Sequence, residues 1–212
     1  MDIYLVRHAE SIANTQGIYQ GQNYNTDLSE TGQKQAQALA KALVGISIDQ
    51  IYSSPLKRTM QTATLISQGL LCQDPIPDQR LKEINHGEWE GKTKEQIKQE
   101  YPDQLHFWKT EPETVTFPQG EKLDQVLQRS FEFLDLITKY SHQRVAIVTH
   151  DTVIRSLLTK FLLRELKDIW LYQLDAGGYS VIEWNGKFKQ VIKINANEHL
   201  KDIASDLSIH AL

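Results

Sequence analysis

The chain has 212 residues, of which 40% are hydrophobic and 24% charged, and 23 basic against 27 acidic residues give a formal net charge of −4. This length fits one domain with an insertion. No apolar run approaches the roughly 18 residues of a membrane span and no Lys/Arg-rich block marks a nucleic-acid footprint, so we expect neither a membrane nor a nucleic-acid partner.

The chain begins with a predicted strand rather than a targeting segment. Residues 2–6 are apolar and β-prone, and they end where Arg7, His8 and Glu10 begin, as a buried strand that delivers polar groups would. The N-terminus lacks the basic region and the cleavage site of a signal peptide. With one cysteine, Cys72, and no N-x-[ST] acceptor, the sequence favours a cytoplasmic protein.

Helical and strand patterns then alternate along the chain. Ser29 can cap the first predicted helix, Pro55 suits the first position of the second, and a later strand ends at Thr149-His150. We predict helices over residues 29–44, 55–70, 123–140 and 153–163, and strands over 49–52 and 144–148. This alternation predicts an α/β fold, a three-layer sandwich with a mostly parallel central sheet and helices on both faces.

Residues 85–121 depart from the alternation. They combine polar helix-like sequence with three prolines and several aromatic residues, which predicts a short lid or insertion within a single domain over residues 1–212. The aromatic residues either line an apolar substrate cavity or form a small core of the insertion. They are Trp89, Tyr101, Phe107, Trp108 and Phe117.

The C-terminal part predicts an antiparallel end to the sheet. Residues 179–184 and 188–194 flank Asn185-Gly186, a strong signal for a hairpin turn. From Asn195 onward we expect a short helix or loose chain. The apolar tail leaves room for a homodimer.

Several motifs occur in a characteristic order. They are RHAES at 7–11, Asn14, QG at 20–21, LSETGQKQA at 28–36, SSPLKRTMQTA at 53–63, LKEINHGEWEG at 81–91 and VTHDTVIRSLL at 148–158. In order and spacing they resemble the histidine phosphatase superfamily, also called phosphoglycerate-mutase-like. The resemblance covers residues 2 to about 160, and LKEINHGEWEG resembles the motif of the phosphatase branch.

The resemblance implies a role for each matching residue. His8 is the phosphorylated nucleophile, Glu83 is the proton donor, and Arg7, Arg58 and His150 hold the phosphoryl oxygens. The matching positions that help to line the phosphate pocket are Asn14, Gln20 and Gly21. The implied substrate is a small phosphorylated metabolite, such as a phosphoglycerate-like acid, a sugar phosphate or α-ribazole phosphate.

Physical chemistry supports the same roles. Phosphoryl transfer spreads charge over three oxygens, which arginine forks stabilise well. Two neighbouring guanidiniums should keep His8 neutral, and a partly buried Glu83 beside a phosphate can hold a proton for the leaving oxygen and later act as base for water. We therefore expect no cofactor and no metal. A zinc site made of His8, His150 and Glu83 is the alternative, although two nearby arginines would repel the cation.

Two other functions compete with a phosphatase. A phosphoglycerate-type mutase must exclude water, whereas only 67 positions separate Glu83 from His150, which predicts a short lid that admits water. A non-catalytic phospho-ligand sensor could use the same fold. Retention of both His8 and Glu83 argues against it, since a binding protein needs no acid.

Asp151 departs from the pattern, because glycine often follows the second histidine in this kind of protein. Its carboxylate either caps the following helix, which we favour, or lies at the pocket and disfavours a second anionic group on the substrate. Five other histidines are expected to be surface or hydrogen-bonded residues: His86, His106, His142, His199 and His210. Arg80 and Arg129 are expected to pair with carboxylates.

Overall fold

A six-stranded sheet runs through the centre of the structure, a computed structural model that describes residues 1–187 and 189–211. Its strands are β1 (Asp2–Arg7), β2 (Gln50–Ser53), β3 (Ile76–Pro77), β4 (Arg144–Thr149), β5 (Tyr179–Trp184) and β6 (Lys189–Ala196). They lie in the order β3-β2-β4-β1-β5-β6. The first four in this order are parallel, and β5 and β6 form an antiparallel hairpin. The predicted sheet is confirmed; Phe188, the predicted start of the last strand, lies outside the described residues.

Helices cover both faces of this sheet. They are α1 (Ile12–Thr15), α2 (Glu30–Ala42), α3 (Lys57–Leu70), α4 (Lys94–Glu100), α5 (Pro102–Thr110), α6 (Leu123–Ile137) and α7 (Asp151–Phe161). Alternate side chains of a strand point to opposite faces. Accordingly Val6 packs in one core with Leu39 of α2 and Ile66 of α3, while Leu5 packs in the other with Phe133 of α6 and Leu157 of α7. This arrangement confirms the three-layer sandwich.

The boundary at Pro55 differs from the prediction. Helix α3 begins at Lys57, and Leu56 precedes it in an extended conformation, so Pro55 belongs to the turn before the helix. The elements α1 and β3 were not predicted, because four and two residues are too short to show a periodic pattern. Among the described helices, none has the length and apolar character that crossing a bilayer requires.

Residues 85–121 contain α4, α5 and 3₁₀ turns at Gly87–Trp89 and Pro112–Thr114. Trp89, Trp108 and Phe117 are buried in the same core as the α6–α7 face of the sheet. Phe117 contacts both tryptophans edge to face, with ring centroids 4.9 and 5.0 Å apart. Of the two alternatives for the aromatic residues, Trp89 and Phe117 therefore follow the core alternative and Phe107 is exposed. Trp108 belongs to this core and also lines the cleft described below.

Candidate active site

The predicted catalytic residues converge where the parallel strands end. Arg7 lies opposite Thr149 in the β1–β4 pair, and the N–H of His8 donates to the carbonyl of Thr149 over 3.0 Å. The rings of His8 and His150 follow these two neighbouring strands, and their centroids are 5.3 Å apart. Arg58 comes from the first turn of α3, which follows β2. This carboxyl edge is the usual place for ligand sites in open α/β sheets.

His8 is buried and presents one ring nitrogen as a nucleophile. Its Nδ1 lies 2.8 Å from the carbonyl oxygen of Ala9, and because a carbonyl only accepts, Nδ1 carries the hydrogen and Nε2 the lone pair. Burial lowers the pKa of His8 well below its usual value, and the guanidiniums of Arg58 and Arg7 lower it further. His8 is therefore neutral near pH 7, the form that can attack phosphorus.

Arg7 and Arg58 are both buried and both keep donors free. Arg7 donates from Nη1 to the carbonyl of Leu174 over 2.5 Å, and its Nε has no partner among the described residues. Arg58 donates from Nη2 to the carbonyl of Gly21 over 2.8 Å, while its Nε and Nη1 lack a partner there. Burial lowers the pKa of Arg58 to about 10, so it remains protonated at neutral pH. Buried unpaired donors are costly, so these atoms mark a place for an anion.

His150 is fully buried and supplies one more donor. Its Nε2 lies 2.9 Å from Oγ of Ser54, which also accepts from the N–H of Leu56 over 3.4 Å. The Ser54 hydroxyl donates to no other atom among the described residues, so we assign its hydrogen to the bond with Nε2 and the ring hydrogen of His150 to Nδ1. This Nδ1 has no partner within the described part of the chain. Burial, and after it Arg58, lowers the pKa of His150 well below its usual value, so the ring is a neutral donor.

Glu83 is buried and can hold a proton. Its Oε1 accepts from the N–H of Ile84 over 2.9 Å, and its Oε2 accepts from the N–H of Thr152 in the first turn of α7 over 3.5 Å. Burial raises the pKa of Glu83, and the negative charge of Asp151 raises it further. These are the two conditions that favour a general acid.

The segment that carries Glu83 is anchored by Arg129. This guanidinium donates to the carbonyl of Glu83 over 3.0 Å and to two neighbouring carbonyls, and it pairs with Glu121 at 3.1 Å. Arg80 pairs with Asp78 at 2.5 Å. The predicted pairing of both arginines with carboxylates is confirmed, and Arg129 also fixes the backbone beside the acid.

Asp151 does not cap the helix, and the prediction we favoured for it is wrong. The N-cap residue is His150, and Asp151 is the first residue of the helix. The Asp151 side chain accepts no hydrogen bond from the free backbone N–H groups of the first turn. Its Oδ2 accepts from Nε of Arg155 at 2.5 Å, and its Oδ1 lies 3.4 Å from Nη1 of Arg7. Burial alone would raise the pKa of Asp151, but Arg155 and Arg7 outweigh it and keep the pKa below its usual value. The carboxylate is therefore ionised.

Glu90 shapes the loop that carries the predicted phosphate-pocket residues. Its two carboxylate oxygens accept from the backbone N–H groups of residues 22–24 and of His86. Gly21 has φ +52°, and a Cβ there would lie 1.9 Å from Oε1 of Glu90. Only glycine fits this close approach. In this conformation the carbonyl of Gly21 accepts the hydrogen bond from Arg58.

These residues surround a narrow cleft of about 30 Å³, close to the volume of one water molecule. The predicted site residues that line it are Arg7, His8, Asn14, Gln20, Gly21, Arg58, Glu83 and Asp151. His150 lies beside His8 without lining the cleft. Among the described residues, no group of three or more His, Cys, Asp or Glu side chains is arranged to hold a metal ion, so the zinc alternative has no ligand set here.

Five further residues line the cleft: His86, Trp108, Thr152, Trp170 and Ala211. Sequence reasoning named Trp108 among the aromatic residues of the cavity alternative and missed the other four. His86 is buried between the rings of Tyr19 and Phe117 rather than at the surface, and its Nδ1 has no partner among the described residues. Burial lowers the pKa of His86 to about 3, and Arg58 contributes. The position of His86 three residues after Glu83, within a matched motif, was a signal that could have identified it.

The C-terminal tail closes the remaining side of the cleft. Nδ1 of His210 lies 3.2 Å from Nη2 of Arg7, and the next residue lines the cleft. Gln35 donates to the carbonyl of Ile203 over 2.8 Å, and Lys94 donates to the carbonyl of Ser208 over 3.0 Å. The tail is thus docked over the site. No sequence pattern after residue 160 indicated this contact.

Comparison with known proteins gives matches over nearly the whole chain. The family model described as histidine phosphatase superfamily (branch 1) matches residues 3–197. Phosphoserine phosphatase 1 of Hydrogenobacter thermophilus is 39% identical over 93% of this chain and 93% of its own. Metal-independent phosphoserine phosphatase of Arabidopsis thaliana is 35% identical over 74% of this chain and 66% of its own. The solved structure of Bacillus stearothermophilus YhfR superposes with a TM-score of 0.88 at 30% identity, covering 94% of this chain and 99% of that one.

Proposed function

The chain belongs to the histidine phosphatase superfamily and is a phosphoric monoester hydrolase, and on this premise we propose that it hydrolyses O-phosphoserine through a phosphohistidine on His8, without a metal ion. The observation that carries the mechanism is the set of buried unpaired donors on Arg7, Arg58 and His150 around a neutral His8. Together these donors match the three equatorial oxygens of a phosphoryl group in transfer.

In the first step, Nε2 of His8 attacks phosphorus and the bond from phosphorus to the ester oxygen breaks. Glu83 gives its proton to the departing oxygen, so an alcohol rather than an alkoxide leaves. The hydrogen bond from Nδ1 to the Ala9 carbonyl keeps the ring oriented and stabilises the positive charge that develops on it.

In the second step, water attacks the phosphorus of phospho-His8 and the bond from phosphorus to Nε2 breaks. The Glu83 carboxylate takes the proton of the water, which restores the acid for the next cycle. Inorganic phosphate leaves and neutral His8 is regenerated. The arginines hold the same oxygens in both steps, so positive charge is available without a metal.

The proposed substrate rests on similarity and on the shape of the site. Three relatives carry phosphoserine phosphatase in their names. The narrow cleft is nearly closed by Trp108, Trp170 and the tail, so every substrate has to displace part of this cover. A phosphomonoester with a small alcohol displaces less of it than a sugar phosphate or α-ribazole phosphate, which favours the small alcohol.

One experiment tests the mechanism and the substrate together. We expect release of inorganic phosphate from O-phospho-L-serine in excess chelator at an undiminished rate, and acid-labile, alkali-stable label on the protein after rapid quenching. The His8→Ala variant should show neither. The matched control is His106→Ala, which changes an exposed histidine on α5 and should leave both signals intact. Loss of activity on chelation, or label on a serine or aspartate, would contradict the proposal.

A further inference from the structure

Unpaired buried atoms in the cleft and directly beside it include both hydrogen-bond donors and acceptors. Those of Arg7, Arg58 and His150 are donors, which a phosphoryl group satisfies. Oδ1 of Asp151 is an acceptor, buried and without a hydrogen-bond partner among the described residues. A phosphate dianion has no hydrogen to give a carboxylate, so a substrate donor for Oδ1 would come from another part of the molecule.

The position of Asp151 indicates which part of the substrate would carry this donor. It lines the cleft one residue before Thr152, whose N–H holds Glu83, and its charge acts on the Glu83 carboxyl. Since the proposed mechanism has Glu83 protonate the leaving oxygen, we place Asp151 on the side of the alcohol. Its Oδ1 is also 3.4 Å from Arg7, which faces the phosphoryl group. A donor a few bonds away from the ester oxygen would therefore reach Oδ1.

The surroundings keep this acceptor charged and fixed. Nε of Arg155 holds Oδ2 at 2.5 Å, and Arg155 is itself held by the carbonyls of Ile169 and Tyr172 and lies over the ring of Trp170, 5.1 Å from its centroid. An ionised carboxylate has about four lone-pair directions, so Oδ1 retains capacity for another donor. A cationic donor gains most from such an acceptor in a site that excludes water.

We propose that Asp151 determines substrate specificity by accepting a hydrogen bond from the ammonium group of a 2-aminoalkyl phosphate. The inference rests on the proposed function and extends it from O-phosphoserine to a chemical class that includes O-phosphothreonine and phosphoethanolamine. In each of these the ammonium group is attached two carbons from the ester oxygen. Compounds with a hydroxyl or a second anion at this position are poorer substrates.

The test compares O-phospho-L-serine with 3-phosphooxypropanoate, which keeps the carboxylate and lacks only the amine. Wild-type protein should prefer the amine by about tenfold or more in kcat/KM, the usual value of a hydrogen bond to a charged group. Asp151→Asn should remove most of this preference, measured as the ratio of the two kcat/KM values in the same variant, and 4-nitrophenyl phosphate reports any loss of rate that is common to all substrates. Asp124→Asn is the matched control, because it removes an exposed carboxylate in the first turn of α6, outside the narrow cleft, and it should keep the preference.

Two outcomes would overturn the inference. One is equal kcat/KM for both substrates in the wild-type protein, a result that needs no variant. The other is a preference that survives in folded Asp151→Asn, and if all three substrates then lose the same factor, Asp151 is a positioning residue for Arg7. Failure of the proposed mechanism is distinguishable, because it would appear as arylphosphate hydrolysis that persists in His8→Ala.

Discussion

The two halves of the cleft are built on different parts of the fold. The strand-borne half comprises Arg7, His8, Arg58, Glu83 and His150, which follow strands of the sheet or are anchored beside them. The covering half comprises His86, Trp108, Trp170, His210 and Ala211, which belong to the insertion, the segment after α7 and the tail. The first half holds the unpaired donors for a phosphoryl group, and the second sets the space left for the alcohol.

We expect the strand-borne half to determine the rate of the chemical steps and the covering half to determine which substrates enter. A group on the end of a packed strand cannot move without disturbing the core, so it can stabilise the same charge in every turnover. A tail held over the cleft by a few hydrogen bonds can detach and dock again with a small change in free energy. Changes in the strand-borne half should therefore slow every substrate, whereas changes in the covering half should alter access.

The largest effect distinguishing these roles is expected for Glu83→Gln. Phosphorylation of His8 by an alkyl phosphate should slow by about 10² to 10⁴, the usual contribution of general acid catalysis, but by much less for a nitrophenyl ester, whose leaving group needs no proton. Single-turnover measurement is needed, because loss of the base for water also slows the second step. The control is Glu88→Gln in the insertion, whose carboxylate bonds Tyr101 and Gln119 outside the cleft. Equal losses for both esters would make Glu83 a positioning residue.

Arg58→Met should lower kcat/KM by about 10² to 10³ for alkyl and aryl esters alike, by analogy with deletion of an oxyanion donor. The loss should be uniform because Arg58 faces the phosphoryl group that all substrates share. Arg144→Met removes a half-exposed arginine at the start of β4 and should have no such effect. A loss that depends on the alcohol group of the substrate would show that Arg58 contacts the alcohol rather than the phosphoryl group.

Ser54→Ala should lower kcat/KM by about 10- to 100-fold, by analogy with the loss of groups that orient a metal-bound imidazole. Without the hydroxyl, Nε2 of His150 loses its donor and the ring can adopt the tautomer that places its hydrogen away from Nδ1. Ser54→Thr keeps the hydroxyl and should restore most of the rate. If the ¹⁵N spectrum shows the same His150 tautomer in Ser54→Ala, the positioning role is wrong.

The sequence predicted the strand-borne half because strand ends and ordered motifs are local patterns. Residues 2–6 and 144–148 predicted two buried strands, and the polar residues at their ends became Arg7, His8 and His150 of the site. The same reasoning assigned a cap to Asp151, since it could not show that Arg155, one turn later, and Arg7 compete for the carboxylate.

The covering half could not be predicted for a physical reason. His210 meets Arg7 across 203 positions of sequence, and a contact of this kind leaves no periodic signature. His86 belongs to the recognised motif LKEINHGEWEG. Its burial, however, depends on the rings of Tyr19 and Phe117, which belong to distant segments. Burial that arises from tertiary packing overrides the surface preference of a lone histidine.

The smallest expected effect concerns docking of the tail at low pH. Burial, and after it Arg7, lowers the pKa of His210 to about 4, while Asp151 and Asp206 oppose the shift and Lys94 adds to it. Nδ1 of His210 accepts from Arg7, so docking requires the neutral ring. Because the docked pKa lies below the usual value of about 6.5, docking is complete above that pH and weakens about tenfold per pH unit as the pH falls towards 4.

At pH 5 the docking equilibrium should therefore be about 30-fold weaker than at pH 7.5. Hydrogen exchange of the amides in residues 203–211, corrected for the intrinsic pH dependence of exchange, measures this change. Both aspartates near His210 have pKa values held below their usual range, Asp151 mainly by Arg155 and Asp206 mainly by Ser208, so they stay ionised over this interval. His210→Gln keeps an acceptor for Arg7 that does not titrate, and its tail should remain docked at pH 5. If exchange in that variant increases at pH 5 as much as in the wild-type protein, another group makes docking of the tail sensitive to acid, and protonation of His210 does not control it.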